Sequence, residues 1–259
     1  MIEYILDSLS VIIPVHNEEN RLRTCLDRVQ EYMESKNIDY EIILAEDGST
    51  DHTVEIAHEY MNNNNRIKLN SSIIKLGKGG SILQGLIKAT KSNILYIDVD
   101  LSSDISEIER MVEYIDTYDI VVGSRFIRGN LGDIQRPLSR TLFSMGYSFI
   151  CKALFRSDIK DYQCGLKMLK NNPILIHDVI PKIKIHKFAF DTDLIVKSIN
   201  QGLKIKEVAV LWQHKEGSKI NITKQVWYMG KDLLKIWMDL HLNMNNIKPA
   251  GKMAQLQPV

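Results

Sequence analysis

The sequence is poor in the features that mark several specialised classes of protein. Its 259 residues include only three cysteines, Cys25, Cys151 and Cys164, and this odd, widely spaced set predicts neither a disulfide framework nor a zinc site. The formal net charge of +1 offers no positive excess for nucleic acid. No run reaches the roughly 18 uncharged apolar residues of a membrane span, and the first residues, with Glu3 and Asp7, lack a signal-segment pattern. We therefore expect a cytoplasmic protein that is neither secreted nor transmembrane.

Two common nucleotide-binding motifs are also missing. The P-loop spacing G-x-x-x-x-G-K-[ST] does not occur, and the first apolar run, SVIIPV, is followed by HNEE and not by a G-x-G-x-x-G turn. These absences weaken an interpretation as an ATP hydrolase or an NAD enzyme. The hydrophobic share of 44% and the charged share of 25% are ordinary for a soluble globular protein, and the length suits one principal domain.

The first half of the chain alternates short apolar runs with segments of helical periodicity. Strands are predicted at Ser10–Val15, Tyr40–Ala45 and Ile94–Ile97, with one or two more within Ile67–Ile74. Three helices are predicted between them from apolar residues at helical spacing, namely Leu22, Cys25, Leu26, Val29 and Met33, then Val54, Ile56, Ala57, Tyr60 and Met61, then Ile82, Leu83, Leu86, Ile87 and Ala89. This alternation predicts an α/β fold with right-handed crossovers and a mostly parallel sheet covered by helices on both faces.

The second half is less regular. We predict a strand at Asp119–Ser124, an arginine-rich loop over 125–140, an apolar helix at Leu142–Phe155, strands in 161–170 and 205–212, a helix over 188–202 between them and an amphipathic helix over 225–242. We expect a single domain over 1–245, with a nucleotide-binding half at 1–125 and an acceptor-binding half at 126–245. Residues 246–259 are expected to form a frayed tail.

Two aspartates follow the predicted strand Ile94–Ile97. Asp98 and Asp100 are two residues apart, so on an extended chain both can point at one object. The carboxyl ends of strands in open α/β sheets are where ligands bind, and paired carboxylates there suit Mg²⁺ or Mn²⁺ carrying substrate phosphates. A D-x-D triplet alone is a weak signal, and a strand-ending turn is the alternative explanation.

Other polar turns are predicted at the same edge of the sheet. They are HNEE after the first strand, EDGSTD after the second and GKGGS before the third helix. A nucleotide would suit them, with carboxylates for base or ribose groups and a lysine and backbone amides for phosphate. The alternative is that Gly48 and Gly77–Gly80 only make tight turns. Side chains that can converge there are His16, Glu18, Asp47, Lys78, Asp98 and Asp100.

The order of these motifs resembles the family-two inverting glycosyltransferases over roughly residues 8 to 240. The motifs are SVIIPVHNEE, ILAEDGSTDHT, GKGGS, YIDVDLSSD and VVGSR. The later segments DYQCGLKML, KFAFDTDLI, KEVAVLW and EGSK are similar to dolichyl-phosphate β-glucosyltransferases, with dolichyl-phosphate mannosyltransferases close behind. The resemblance implies a GT-A, Rossmann-like, nucleotide-sugar-binding fold.

The resemblance also implies roles for single residues. It places Pro14, His16, Glu18, Asp47, Lys78 and Lys219 around the nucleotide sugar, Asp98 and Asp100 at the metal, Arg125 among the catalytic residues, and Arg140 and Gln163 at the acceptor or its phosphate. Asp191 and Asp193 flank Thr192 at a helix start, where a helix cap is the simplest explanation, and Asp191 is the candidate catalytic residue of the two. His16 stands where the family usually has tyrosine, and Glu46 where it often has aspartate.

The implied reaction transfers a hexose, with glucose from UDP-glucose first and mannose from GDP-mannose as the alternative, onto a polyprenyl or dolichyl phosphate. A phosphate monoester is already anionic at neutral pH, so a single inverting displacement needs no general base. Three alternatives remain open. They are a family-two transferase with a hydroxyl acceptor and Asp191 as its base, a sugar-phosphate nucleotidyltransferase, and a non-catalytic nucleotide-sugar-binding protein.

A lipid acceptor also implies contact with the cytoplasmic membrane surface. Without a spanning segment, the chain is expected to be peripheral, either directly or through a membrane-protein partner. The expected direct contacts are the apolar helix Leu142–Phe155, flanked by Arg136, Arg140, Lys152 and Arg156, and the stripe of Val226, Leu233, Leu234 and Trp237.

Overall fold

The structure is a computed structural model and describes residues 6–72, 74–127, 138–213 and 222–243. For residues 138–142, 222–226 and 242–243 only the backbone is described. The predicted tail at 246–259 lies outside these ranges. Within them, no helix has the length and apolar character needed to cross a lipid bilayer.

A seven-stranded sheet forms the centre of the molecule. In chain order its strands are β1 Ser8–Val15, β2 Asp39–Glu46, β3 Ile67–Ser71, β4 Asn93–Ile97, β5 Ile120–Ser124, β6 Leu166–Lys170 and β7 Ile205–Ala209. Their order across the sheet is β3-β2-β1-β4-β6-β5-β7. All neighbours are parallel except β6, which runs antiparallel to both β4 and β5. The predicted mostly parallel sheet is confirmed, with β6 as the reversed strand.

Helices lie on both sides of this sheet. They are α1 Leu22–Ser35, α2 Thr53–Asn63, α3 Lys78–Lys88, α4 Glu109–Ile115, α5 Leu138–Phe155, α6 Phe190–Asn200 and α7 Ile222–Asn243. Short 3₁₀ turns occur at Ile105–Ile108 and Ile180–Lys182, and a π-helical turn at Ile174–Val179.

Alternate residues of β1 pack into two separate cores, one on each face of the sheet. Val11 and Ile13 belong to the core formed with α1, α2 and α4, whereas Ile12 belongs to the core formed with α3 and α6. This is the side-chain alternation of a strand that is covered on both faces. The five residues predicted to face the core from the first helix are all buried.

Several boundaries differ from the sequence predictions. The strand predicted in 161–170 begins only at Leu166, and Ile87, one of the apolar residues whose spacing predicted α3, is 59% exposed. The predicted loop over 125–140 is partly wrong, because α5 begins at Leu138 and includes Arg140.

Candidate active site

The turn after β4 carries Asp98 and Asp100 at the carboxyl edge of the parallel strands. The amide of Leu101 donates to the Asp98 carbonyl at 3.0 Å, and the amide of Ser102 donates to Asp100 Oδ1 at 2.9 Å. Leu101 has a φ of 47°, so the chain reverses sharply here. The turn therefore fixes the backbone that presents both carboxylates.

Gly165 leaves the space that the Asp98 side chain occupies. Strands β4 and β6 pair with Ile97 opposite Leu166, which brings Gly165 next to Asp98. A Cβ atom at position 165 would lie 2.1 Å from Asp98 Oδ2. The glycine of the Q-C-G motif is therefore required for the observed position of this carboxylate, a role that the sequence did not reveal.

Lys78, the first residue of α3, contacts Asp98 directly. Its Nζ lies 2.6 Å from Asp98 Oδ1. Burial opposes the positive charge, but Asp98, Asp191 and Asp100 outweigh it, so the pKa of Lys78 is raised. Lys78 is therefore a cation held among three carboxylates.

The GKGGS turn and the residue before it are held by hydrogen bonds to other parts of the chain. Asp47 accepts hydrogen bonds from the amides of Leu76 at 2.6 Å and Gly77 at 2.9 Å, and the Gly80 amide donates to the His186 carbonyl. Gly77 has a φ of 81°, which favours glycine. Within this turn, protein acceptors therefore already use the amides of Gly77 and Gly80. The expected phosphate contact of the turn stays a prediction. The nucleotide role of Asp47 stays a prediction.

Glu18 lies near the two aspartates. Burial raises its pKa, Arg21 lowers it, and Asp100, Asp51 and Asp98 raise it further, so the net pKa is raised. The negative charge around Asp98 and Asp100 therefore reaches Glu18. This is the environment that a bound cation would relieve.

His16 and Pro14 lie at the end of β1. Pro14 pairs with Ala45 of β2, and His16 Nε2 lies 2.8 Å from Lys75 Nζ. His16 Nδ1 is buried and has no hydrogen-bond partner among the described residues. Lys75, which the sequence analysis did not single out, therefore contacts a predicted nucleotide-binding residue.

Arg125 forms a buried ion pair. Its Nε lies 2.6 Å from Asp161 Oδ2 and its Nη2 lies 2.7 Å from Asp161 Oδ1, and the Asp161 carboxylate also accepts from the Arg125 amide. Arg125 is only 6% exposed, and its guanidinium lies 5.7 Å from the centre of the Trp212 ring. The observed partner of the Arg125 guanidinium is a carboxylate, and the predicted catalytic role of Arg125 stays a prediction.

Asp191 and Asp193 lie in the first turn of α6, and neither of them caps it. The N-cap residue is Ala189, without a side-chain cap, so the capping explanation is wrong. Asp193 Oδ2 accepts from the amides of Lys184 and Ile185, and its Oδ1 lies 2.9 Å from Lys197 Nζ. Asp193 is therefore structural.

Asp191 instead belongs to a buried polar cluster with Lys167 and Tyr96. Its Oδ1 lies 2.6 Å from Lys167 Nζ and also accepts from the Tyr96 hydroxyl. Sequence reasoning missed Lys167 and Tyr96, although a lone lysine within the apolar run GLKML was an available signal.

Of the predicted acceptor residues, only Gln163 has a described side chain. Its Nε2 donates to the Phe188 carbonyl at 3.4 Å and lies 3.7 Å from Met229 Sδ. Arg140 is in α5, but its side chain is not described, and Arg136 and Lys219 lie outside the described residues.

The chain belongs to glycosyl transferase family 2, whose family model matches residues 10–174. Among its relatives, the dolichyl-phosphate β-glucosyltransferase of Drosophila melanogaster is 31% identical over 89% of this chain and 74% of the relative. Glycosyltransferase AglD of Haloferax volcanii is 29% identical over 90% of this chain but only 37% of its own length.

The fold is shared with a solved enzyme of the GT-A type. The glucosyl-3-phosphoglycerate synthase of Mycobacterium tuberculosis, crystallised with Mn²⁺, UDP-glucose and phosphoglyceric acid, has a TM-score of 0.62 and 16% identity. The match covers 89% of this chain and 80% of that one. The predicted GT-A fold is thereby confirmed, and the family model confirms the predicted family.

Proposed function

We propose that this protein transfers glucose from UDP-glucose, with inversion, onto the phosphate of a polyprenyl or dolichyl phosphate. The observation that carries the proposal is the group of Asp98, Asp100 and Lys78 at the carboxyl edge of the sheet, where open α/β sheets bind ligands. The names of the relatives supply the sugar and the lipid. The chain spans only part of the length of each relative, so we propose the activity of the whole proteins for this chain.

The proposed enzyme uses Mg²⁺ or Mn²⁺, held by Asp98 and Asp100. The described residues contain no set of three or more His, Cys, Asp or Glu side chains arranged to hold a metal. Two carboxylates nevertheless fit an ion whose other ligands are phosphate oxygens and water. When bound, such an ion would offset the charge of the departing nucleoside diphosphate.

The residues of the chain mainly orient the reactants in this proposal. The Lys78 ammonium places a positive charge 2.6 Å from Asp98, next to the expected phosphates. The acceptor phosphate has a second pKa near 6, so it attacks as an anion and no side chain must remove a proton. A direct attack on the anomeric carbon inverts its configuration and forms no covalent sugar intermediate on the protein.

We propose further that α5 and α7 contact the cytoplasmic surface of a membrane. These two helices pack against each other and expose apolar side chains, namely Phe143, Met145, Phe149 and Ile150 on α5 and Trp227, Tyr228, Leu234 and Met238 on α7. We call these eight residues the apolar patch. Leu233, expected in the membrane-facing stripe, is 3% exposed and belongs to the core. Apolar area with nearby cations supports interfacial attachment.

A labelled-donor assay tests the transfer. The protein is incubated with Mn²⁺, polyprenyl phosphate and, separately, UDP-glucose, GDP-mannose and other radiolabelled nucleotide sugars. We expect label from UDP-glucose to become extractable into organic solvent only when both metal and lipid phosphate are present. Extraction of mannose label instead would identify GDP-mannose as the donor. Label on a soluble sugar hydroxyl would show that the acceptor is not a lipid phosphate.

A further inference from the structure

Lys167 is a fully buried cation in the reversed strand β6. It is 0% exposed, and its Nζ lies 2.6 Å from Asp191 Oδ1 and 2.6 Å from the Cys164 carbonyl oxygen. Lys167 pairs with Tyr96 across β4 and β6, so the two side chains share one face of the sheet. Both reach the same oxygen of Asp191.

A contribution to the stability of the fold does not by itself explain why this buried ion pair is present. Removing two charges from water costs several kcal/mol per ion, and apolar residues of similar volume are often as stabilising. The arrangement does, however, fix one carboxylate oxygen with two donors. The Asp191 side chain keeps 10% exposure, and its Oδ2 accepts no hydrogen bond from a described residue. One oxygen is therefore anchored and the other is available.

The available oxygen belongs to a residue beside the proposed donor site. Asp191 accepts from the hydroxyl of Tyr96, and Tyr96 lies on β4 two residues before Asp98. The start of α3 also packs closely against the start of α6, because a Cβ at Gly79, next to Lys78, would lie 2.3 Å from Phe190 Cβ, next to Asp191. Lys78 in turn contacts Asp98. A fixed carboxylate oxygen next to the expected pyrophosphate is suited to accept a hydrogen bond from a sugar hydroxyl.

We propose that Lys167 is a positioning residue which, with Tyr96, holds Asp191 so that Oδ2 accepts a hydrogen bond from one hydroxyl of the donor sugar. This inference rests on the proposed function and names the sugar contact of the same site. Lys167 touches no substrate and acts only through Asp191.

The test compares UDP-glucose with its four monodeoxy analogues at the 2, 3, 4 and 6 positions. In the wild type, one analogue is expected to lose about tenfold or more in kcat/KM, the value of a hydrogen bond to a charged group. In Asp191→Asn and in Lys167→Met, the ratio of kcat/KM for UDP-glucose to kcat/KM for that analogue should fall towards one. The double variant Lys167→Met with Asp191→Asn should show no larger decrease in this ratio than Asp191→Asn alone.

Lys197→Met is the matched control. Lys197 also forms a buried pair on α6, with Asp193, and both side chains are at most 5% exposed. Asp193 accepts hydrogen bonds from the backbone amides of Lys184 and Ile185, and no described contact joins it to Asp191, Lys78 or Asp98. The control is expected to lower thermal stability while it keeps the discrimination among the deoxy donors.

Three results would overturn the inference. They are unchanged discrimination in Lys167→Met, losses that add in the double variant, and an equal loss of discrimination in Lys197→Met. If Lys167→Met does not fold, Tyr96→Phe decides, because it removes one of the two donors and keeps the ring; unchanged discrimination there also counts against the inference. If the wild type transfers no sugar, the proposed function fails, and the ratio of dissociation constants for UDP-glucose and UDP in the same variants still tests Lys167.

Discussion

At the scale of single residues, the position of Asp98 depends on a neighbour that carries no side chain. Gly165 meets Asp98 because β6 runs antiparallel to β4, and a Cβ there would overlap Oδ2. Lys78 contacts the other oxygen of the same carboxylate. Asp98 is thus held between a lysine and a glycine that are far apart in sequence.

Gly165→Ala is expected to reduce kcat/KM by about 10²-fold or more, the scale of losing one preorganised charged contact. The new Cβ would lie 2.1 Å from Asp98 Oδ2, so the carboxylate must turn away. The free energy of unfolding should change by only about 1 kcal/mol, because a short side chain can move. Steady-state kinetics and urea unfolding measure both quantities.

Gly146→Ala serves as the control for this prediction. Gly146 is in α5, and a Cβ there meets no atom within 4 Å. Full activity of Gly165→Ala, or an equal loss in Gly146→Ala, would show that the glycine is not needed to place Asp98.

Asp100→Asn is expected to abolish metal-dependent turnover and to leave the fold intact. The change removes one negative charge and keeps the shape of the side chain, including an oxygen for the Ser102 amide. Titration of Mn²⁺ and Mg²⁺ against turnover, with circular dichroism as the folding control, measures the effect. Wild-type turnover in the variant, or full activity of the wild type in chelator, would contradict the metal assignment.

At the scale of elements, a buried carboxylate at the opposite edge of the sheet ties α3 to β2. Glu41 is 3% exposed and accepts from Ser10 Oγ at 2.6 Å, from the Thr90 amide at 2.7 Å and from Thr90 Oγ1 at 2.8 Å. Lys68 Nζ lies 2.5 Å from its second oxygen. Thr90 follows α3 closely in the chain, so Glu41 fixes the connection from this helix to β4.

Glu41→Gln is expected to lower the free energy of unfolding by about 2 kcal/mol at neutral pH. Burial raises the pKa of Glu41, but Lys68, Ser10 and Thr90 lower it more strongly, from 4.5 to about 2. Because the folded-state pKa lies below the unfolded value, this stability is present above about 4.5 and is lost as the pH falls towards about 2. The difference between wild type and variant should therefore shrink on acidification.

Urea unfolding at pH 7 and pH 3 measures this difference. Asp39→Asn is the control, because Asp39 pairs with Lys91 at the surface and its side chain is 60% exposed. Such a pair contributes at most about 1 kcal/mol. A Glu41→Gln effect that does not change with pH would contradict the charge-based explanation.

At the scale of the whole molecule, the apolar patch on α5 and α7 exposes large aromatic side chains to solvent. Phe149 is 74% exposed and Trp227 is 65% exposed, and Lys231 Nζ lies 4.9 Å from the centre of the Trp227 ring. An aromatic ring beside a cation is typical of side chains at a membrane interface. Lys152, one of the expected flanking cations, pairs with Asp158 at 3.0 Å, which reduces its contribution.

The wild type is expected to float with anionic liposomes at low salt and to float less at high salt, because each cation near the surface contributes about 1 kcal/mol. The double variant Phe149→Ser with Trp227→Ser should stay at the bottom. Ile87→Ser is the control, since Ile87 is 59% exposed on α3, outside the apolar patch. A wild type that never floats, yet glycosylates a short soluble prenyl phosphate, would indicate a membrane-protein partner instead.

The sequence by itself determined the parts of this protein that depend on local spacing. The alternation of strands and helices, the burial of Leu22, Cys25 and Leu26 on one face of α1, and the position of Asp98 and Asp100 after β4 all follow from side-chain periodicity within a few residues. The order of motifs was also sufficient for the family.

Only the tertiary structure decided the partners of the charged residues. Asp161 pairs with Arg125, Lys167 with Asp191, and Asp47 with the amides before α3. These contacts depend on the antiparallel register of β6 and on how α3 and α6 pack against the sheet. Spacing within a motif carries no information on that register, because a slip of one residue would exchange the two faces of β6 and give every charge a different neighbour.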